Sequence, residues 1–182
     1  CDLLWRVADG STPIWLMNGT TFTTGVLDWQ ETKYSLAAMG DFNGDGSSDI
    51  LWVYKPSTTT RYTYHLWFMN GDKTIQIVND AFETGNSWAL AGVGDFNGDG
   101  NCDLFWRVGD TTNATFTHFV WLMEGATILK SGIVATLDKN WSLAGVGDFN
   151  ADSKADIVWR NNATGVNTLW LMNGTTVSST AS

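Results

Sequence analysis

The chain is 182 residues long and acidic, with nineteen Asp and Glu against ten Lys and Arg, a formal charge of −9 and a pI near 4.4. That balance lacks the basic footprint of a nucleic-acid binder, and no apolar run approaches the roughly 20 residues of a membrane-spanning helix. The length suffices for one domain with an adequate core.

Short apolar segments bounded by Gly, Asn and Asp follow one another along the chain, and each predicts a strand. The opening Cys1-Asp2-Leu3-Leu4-Trp5 matches Cys102-Asp103-Leu104-Phe105-Trp106, and a second strand ends in Trp15-Leu16-Met17-Asn18-Gly19. Next comes a strand of small residues, Ser35 to Gly40, then the acidic loop Asp41-Phe42-Asn43-Gly44-Asp45-Gly46 with a further acid at Asp49. Ile50-Leu51-Trp52-Val53, a strand ending Trp67-Phe68-Met69-Asn70-Gly71, and Thr74 to Val78 complete that unit. The order then repeats. A small-residue strand from Trp88 to Gly94 leads into the loop Asp95 to Gly100 with Asp103, then Leu104 to Trp106, Trp121 to Gly125 and Ala126 to Leu129. A last copy runs from Trp141 to Gly147, through Asp148-Phe149-Asn150-Ala151-Asp152-Ser153 with Asp156, to Ile157 to Trp159 and Trp170 to Gly174.

The first loop Asp recurs at 41, 95 and 148, spacings of 54 and 53 residues. A period near that length points to solenoids, propellers or arrays, and four short strands per repeat match a propeller blade. The Gly- and Ala-rich first strand suits a crowded centre where backbones approach closely. No stretch shows a 3.6-residue period, so an all-β fold with almost no helix is expected.

The loops carry the chemistry. Oxygen-bearing side chains stand at loop positions 1, 3, 5 and 9, namely Asp41, Asn43, Asp45 and Asp49; Asp95, Asn97, Asp99 and Asp103; Asp148, Asn150, Asp152 and Asp156. An oxygen-only set of irregular geometry suits Ca²⁺ better than Mg²⁺, and glycines at positions 4 and 6 allow the sharp turn in the first two copies. The third copy is the weakest, with Ala151 and Ser153 at those positions. Position 12 holds Trp52, Trp106 or Trp159 instead of the bidentate Glu of an EF-hand. Plain hairpin turns are the alternative, since Asn-Gly and Asp-Gly are turn residues. Turn chemistry does not by itself call for acids at positions 1, 5 and 9 in every copy.

The loops with their flanking Gly-Asp-Phe and Leu-Trp-Arg pieces resemble the FG-GAP repeat, also called the VCBS repeat, over nearly the whole chain. That resemblance implies a β-propeller, usually seven-bladed, in a secreted or surface protein that binds a partner. It also implies about three structural Ca²⁺ ions, with the carbonyl oxygens of Ser47, Asn101 and Lys154 joining the side-chain ligands. No particular ligand follows from it.

Four Leu/Ile-Trp strands and four Trp-Leu-Met-type strands accompany only three loops and three inner strands. About 3.75 blades are therefore expected: a partial blade over 1–33 without its inner strand, then blades over 34–86, 87–139 and 140–182. A piece of a longer propeller is the first reading of that count. The alternative is a four-bladed ring completed by a strand from another chain, making a dimer or filament.

Ten of the eleven Trp fall at repeat positions, which reads as packing between blades; Trp29 lies outside the pattern, and Trp29 and Trp15 are candidates for stacking on a sugar ring. Asp2 and the nine loop acids make up ten of the nineteen acids, so the negative charge belongs to binding sites rather than to a tail. Three Ca²⁺ would bring −9 to −3. Such sites should bind modestly and fill at extracellular calcium levels.

Cys1 and Cys102 occupy equivalent positions of different repeats, so a disulfide between them is not expected. The match to Cys102 also favours a chain cut at Cys1 over a lipid-anchor cysteine, and without a signal peptide the chain reads as mature or excised. Asn18, Asn113, Asn162 and Asn173 open Asn-x-Thr sequons.

His65 and His118 sit in no nucleophile or zinc motif, and the carboxylates belong to the loops, so no enzyme is expected. A recognition module for a protein or glycan partner is expected, with the inserts Lys55–Thr63 and Gly109–Thr117 as contact loops. A structural subunit joined through open edge strands is the alternative.

Overall fold

The computed structural model describes residues 3–4, 7–8, 11–18, 20–27, 31–109 and 114–182. Every regular element among them is a strand. The chain forms two compact units, one of Cys1–Met39 with Gly46–Thr84, the other of Gly40–Asp45 with Gly85–Ser182.

The first unit holds a three-stranded antiparallel sheet, β1 (Leu3–Leu4), β2 (Pro13–Asn18) and β3 (Thr21–Val26), paired in that order. Its second sheet has four strands in sequence order, β4 (Tyr34–Gly40), β5 (Asp49–Tyr54), β6 (Arg61–Asn70) and β7 (Lys73–Gly85). Buried Ile14 and Leu27 join Ile50, Trp52, Trp67 and Met69 in one core.

The second unit repeats the four-stranded plan twice. β8 (Trp88–Gly94), β9 (Asp103–Val108), β10 (Thr115–Glu124) and β11 (Thr127–Asp138) form one sheet; β12 (Trp141–Gly147), β13 (Asp156–Asn161), β14 (Asn167–Asn173) and β15 (Thr176–Ala181) form the other. Each is a propeller blade, and the fold is all-β as its repeat pattern predicts.

Burial explains the composition of each blade. Its second strand is buried on both faces, as in β5 and β9, and so reads as a continuous apolar run rather than an alternating one. Trp52, Trp106 and Trp159 are almost wholly buried there. Each meets the Trp of the third strand: Trp52 with Trp67 at 5.5 Å, Trp106 with Trp121 at 5.1 Å, and Trp159 with Trp170 at 5.5 Å, in tilted or edge-on geometry. Edge-to-face rings are the favoured arrangement and add about 0.5–1.5 kcal/mol beyond area burial. Repeat-locked Trp is therefore core packing at these positions.

The small inner strand has a direct cause in the second unit. A Cβ on Gly94 would lie 2.7 Å from Ala155 Cβ, and one on Gly92 would lie 2.9 Å from Val146 Cγ2. Only glycine lets β8 come this close to the next blade.

Third and fourth strands run further than their apolar segments suggest. β7 and β11 continue through Asn79-Asp80 and Ser131-Gly132, with β11 paired to β10 across register shifts at His118/Phe119 and Leu122/Met123. β6 and β10 also begin inside the inserts expected as contact loops, at Arg61 and Thr115. Residues 110–113 of the second insert lie outside the described residues.

Candidate metal centres

In the second unit each acidic loop leaves its inner strand after a glycine and re-enters the sheet at the position-nine Asp. The loop closes around its first carboxylate. Asp95 Oδ1 accepts hydrogen bonds from the amides of Gly98 (2.6 Å) and Asp99 (3.2 Å), and Oδ2 accepts one from Gly100 (2.8 Å). Asp148 does the same with Ala151 (2.7 Å), Asp152 (3.2 Å) and Ser153 (2.9 Å). Asp41 accepts from Gly44 (2.7 Å) and Asp45 (3.1 Å).

Position three is held against position five. The Oδ1 atoms of Asn43, Asn97 and Asn150 accept from the amides of Asp45, Asp99 and Asp152 at 3.1, 3.0 and 2.9 Å. Their Nδ2 atoms donate to the same three carboxylates at 3.0, 2.7 and 3.1 Å. Side chains at positions three and five thus touch, and the carboxylate of position one bonds the backbone amides of positions four and five. At position seven the amides of Asn101 and Lys154 donate to Asp99 (2.8 Å) and Asp152 (2.9 Å). Ser47 and Asp49 belong to the first unit, whereas Asp41, Asn43 and Asp45 belong to the second.

The third loop keeps this shape without glycine. Ala151 and Ser153 take φ of 61° and 66°, where Gly98 and Gly100 take 79° and 90°. A left-handed backbone costs an L-residue roughly 1–2 kcal/mol, so the loop's bonds outweigh that cost at two positions.

Position nine is a buried latch. Asp103 Oδ2 accepts from the amide of Phe96 (2.8 Å) and Oδ1 from Met123 (2.8 Å). Asp156 repeats this with Phe149 (3.0 Å) and Met172 (2.9 Å), and Asp49 Oδ1 accepts from Met69 (2.9 Å). All three carboxylates are fully buried. Each ties its strand to the Met of the third-strand motif, a role that ligand spacing alone does not reveal.

Electrostatics follow this geometry. Burial pushes the Asp103 carboxyl up, to about 7, against the opposing pull of the Met123 and Phe96 amides. At Asp148 burial is outweighed by the amides of Ser153, Ala151, Asp152 and Asn150, which hold it below the ordinary carboxylate range. Asp99 is also lowered, its desolvation overcome by Asn101 and Asn97. Cys102 is a free thiol whose burial raises it to about 11.

Whether these residues suit a cation turns on their donor set. Among the described residues no three His, Cys, Asp or Glu side chains gather into a ligand cluster. A cation here would depend on Asn and carbonyl oxygens beside the carboxylates of positions one and five. Those are hard oxygen donors throughout, the type Ca²⁺ takes, although Oδ1 of Asp41, Asp95 and Asp148 already accepts two or more amides. The residues fit calcium by donor chemistry.

The loops also join one repeat to the next. Asp95 and Phe96 carbonyls accept from the amides of Ala155 (2.6 Å) and Gly174 (2.7 Å), and Asp41 and Phe42 carbonyls accept from Cys102 (2.6 Å) and Gly125 (2.8 Å). The repeated Asp-Phe pair and the Gly after each Trp-Leu-Met segment are the sequence signal for this link.

Other candidates lie apart. Trp15 stacks on Phe22, with ring centres 3.9 Å apart, so that face is filled. Trp29, Asp2, Cys1 and Asn113 lie outside the described residues. His65 bonds Asn79 Oδ1 at 2.8 Å and lies 3.4 Å from Asp80, while buried His118 packs on Phe105 and Trp159.

The sequence matches the FG-GAP-like repeat at residues 41–106 and 95–159. It is 28% identical over 127 residues to Protein linkin of Caenorhabditis elegans, an alignment covering 61% of this chain and 20% of that protein. The chain thus spans about a fifth of the length of this curated relative. Loop geometry, blade topology and these matches agree: the chain belongs to the FG-GAP-like repeat family.

Proposed function

We propose that this chain is a calcium-stapled β-propeller module of an extracellular or cell-surface protein, used to recognise a partner rather than to catalyse. The observation that carries the calcium reading is the repeated cradle around Asp41, Asp95 and Asp148, kept in the third loop despite left-handed Ala151 and Ser153. Its ligands would be Asp41, Asn43, Asp45, Asp95, Asn97, Asp99, Asp148, Asn150 and Asp152. The carbonyls of Asn101 and Lys154 would complete the second and third sets. Asp103 and Asp156 would close those two sites from the strand side.

Calcium would neutralise two carboxylates per loop and brace the link to the next repeat. Membership in a repeat family built for protein interaction supports the recognition role, and the acidic, sparsely basic composition argues against nucleic acid. Among the described residues no helix is long and apolar enough to cross a membrane.

Calorimetric titration of the metal-stripped chain with CaCl₂ tests the reading. About three ions should bind, with Kd on the order of 10⁻⁴–10⁻³ M, the range of extracellular modules. Absence of binding at millimolar calcium would refute it.

A further inference from the structure

The second unit contains a cavity of about 370 Å³ between the first halves of its inner strands β8 and β12, at the end away from the acidic loops. Ala89, Leu90, Ala91, Ser142 and Leu143 form its apolar and neutral wall. Arg107, Lys139, His118, Trp141 and Trp159 supply the rest. That volume falls within the range of small-molecule sites, about 300–1,000 Å³.

Two of the chain's ten basic residues line this cavity, in a protein of net charge −9. The Arg107 guanidinium lies over the Phe116 ring, 3.4 Å from its centre. Among the described residues neither Arg107 nor Lys139 has a carboxylate partner.

Trp141 differs from its counterpart Trp88 in the preceding blade. Trp88 is spent on packing, against Phe119 at 5.0 Å and Trp121 at 5.3 Å. Trp141 is half-buried like Trp88 and packs against the apolar core of its unit, but it stacks on no aromatic ring among the described residues.

Arg107 follows the second-strand Trp, as Arg6 and Arg160 do in their copies, whereas Lys139 is particular to this blade. Arg107 faces His118 across β9 and β10, where the second blade pairs Val53 with Tyr64. Two residues before the inner-strand Trp, Lys139 stands where Asn86 stands in the preceding copy. The cavity also contains buried polar groups: His118 Nδ1 and Trp159 Nε1 have no hydrogen-bond partner among the described residues.

We infer that this inter-blade cavity binds a carboxylate-bearing sugar ring, a uronic acid residue of an acidic glycan. Arg107 and Lys139 take the carboxylate, as charge-assisted donors do. Trp141 takes the ring, whose C–H face is weakly positive and meets the negative face of the indole. An acidic peptide would satisfy the cations but leave the ring-sized space beside Trp141 unused. The inference extends the recognition reading but needs no metal, since no loop ligand lines the cavity.

The test is binding of D-glucuronate and D-galacturonate to the full chain in calcium buffer, followed by saturation-transfer NMR. D-glucose, D-galactose and hexaglutamate serve as comparisons. A uronate should bind at least tenfold more tightly than its neutral parent, and Arg107→Gln and Lys139→Gln should each weaken it at least tenfold.

Lys139 is exposed, so Lys139→Gln should keep the parent melting temperature and carries the test if Arg107→Gln misfolds. The inference is overturned by no uronate binding at tens of millimolar, by equal binding of neutral sugars, by indifference to both substitutions, or by hexaglutamate binding more tightly. Repeating the titration in chelator separates the two proposals: uronate binding that persists while calcium titration fails would sink only the metal reading.

Discussion

The carbonyl of Phe96 accepts a 2.7 Å hydrogen bond from the amide of Gly174, joining the acidic loop of one repeat to the hairpin turn of the next. The amide of the same Phe96 is held by Asp103. One buried carboxylate therefore holds the amide of the residue whose carbonyl receives the neighbouring blade. Loop chemistry and blade stacking are coupled at that residue.

Asp103→Ala should destabilise the chain by about 3 kcal/mol or more, because it strands the buried amides of Phe96 and Met123. Asp103→Asn, which keeps one acceptor, should cost less. Denaturant unfolding in chelator makes the distinction: a latch matters without metal, whereas a residue acting only as a ligand would show no effect there.

Gly94→Val should be more damaging than its size suggests. Its Cβ would lie 2.7 Å from Ala155 Cβ and 3.0 Å from Val146 Cγ1, so the blades must separate. Overpacking of this kind costs about 1–3 kcal/mol. Thermal unfolding should register it, and an unchanged midpoint would mean that the inner strands are not in contact.

Ala151→Gly and Ser153→Gly should each stabilise the third loop. Both residues hold a positive φ that glycine adopts freely. Relief of about 1–2 kcal/mol is partly offset by glycine's greater unfolded-state freedom, about 0.4–1 kcal/mol. A net gain of about 0.5–1 kcal/mol in denaturant unfolding is expected; a loss would show that the side chains contribute something the backbone does not.

His118 should make the fold acid-sensitive. Burial, reinforced by Arg107, depresses it to about 4 despite a bond to Ala135, so the folded state holds it neutral. Its contribution is complete above the unfolded value near 6.5, falls as pH drops from 6.5 to 4, and is flat below. The loss approaches about 3 kcal/mol. Asp103, raised to about 7, works in the opposite sense, so the histidine is read as the difference between the parent and His118→Gln.

Much of this was legible in the residues. The 54- and 53-residue spacing, the Gly-rich inner strand and the paired Trp positions each encode a packing requirement that recurs once per blade. Positions three and five touch because alternate loop residues share a side. Position nine was harder to read: an Asp spaced like a ligand is also the acceptor for Phe96 and Met123, and spacing cannot separate the two roles. The extension of β7 through Asn79-Asp80 and β11 through Ser131-Gly132 was hidden because an outer strand facing solvent needs no apolar pattern. The cavity near Trp141 was invisible for another reason: Arg107, Lys139 and Trp141 are brought together only by the stacking of two blades.

Thermal unfolding with millimolar CaCl₂ and then with excess chelator tests whether calcium staples the loops. The expected result is a melting temperature lower by several degrees or more in chelator, restored by adding calcium back. Superimposable curves would contradict it, leaving the three acidic loops as self-bonded turns.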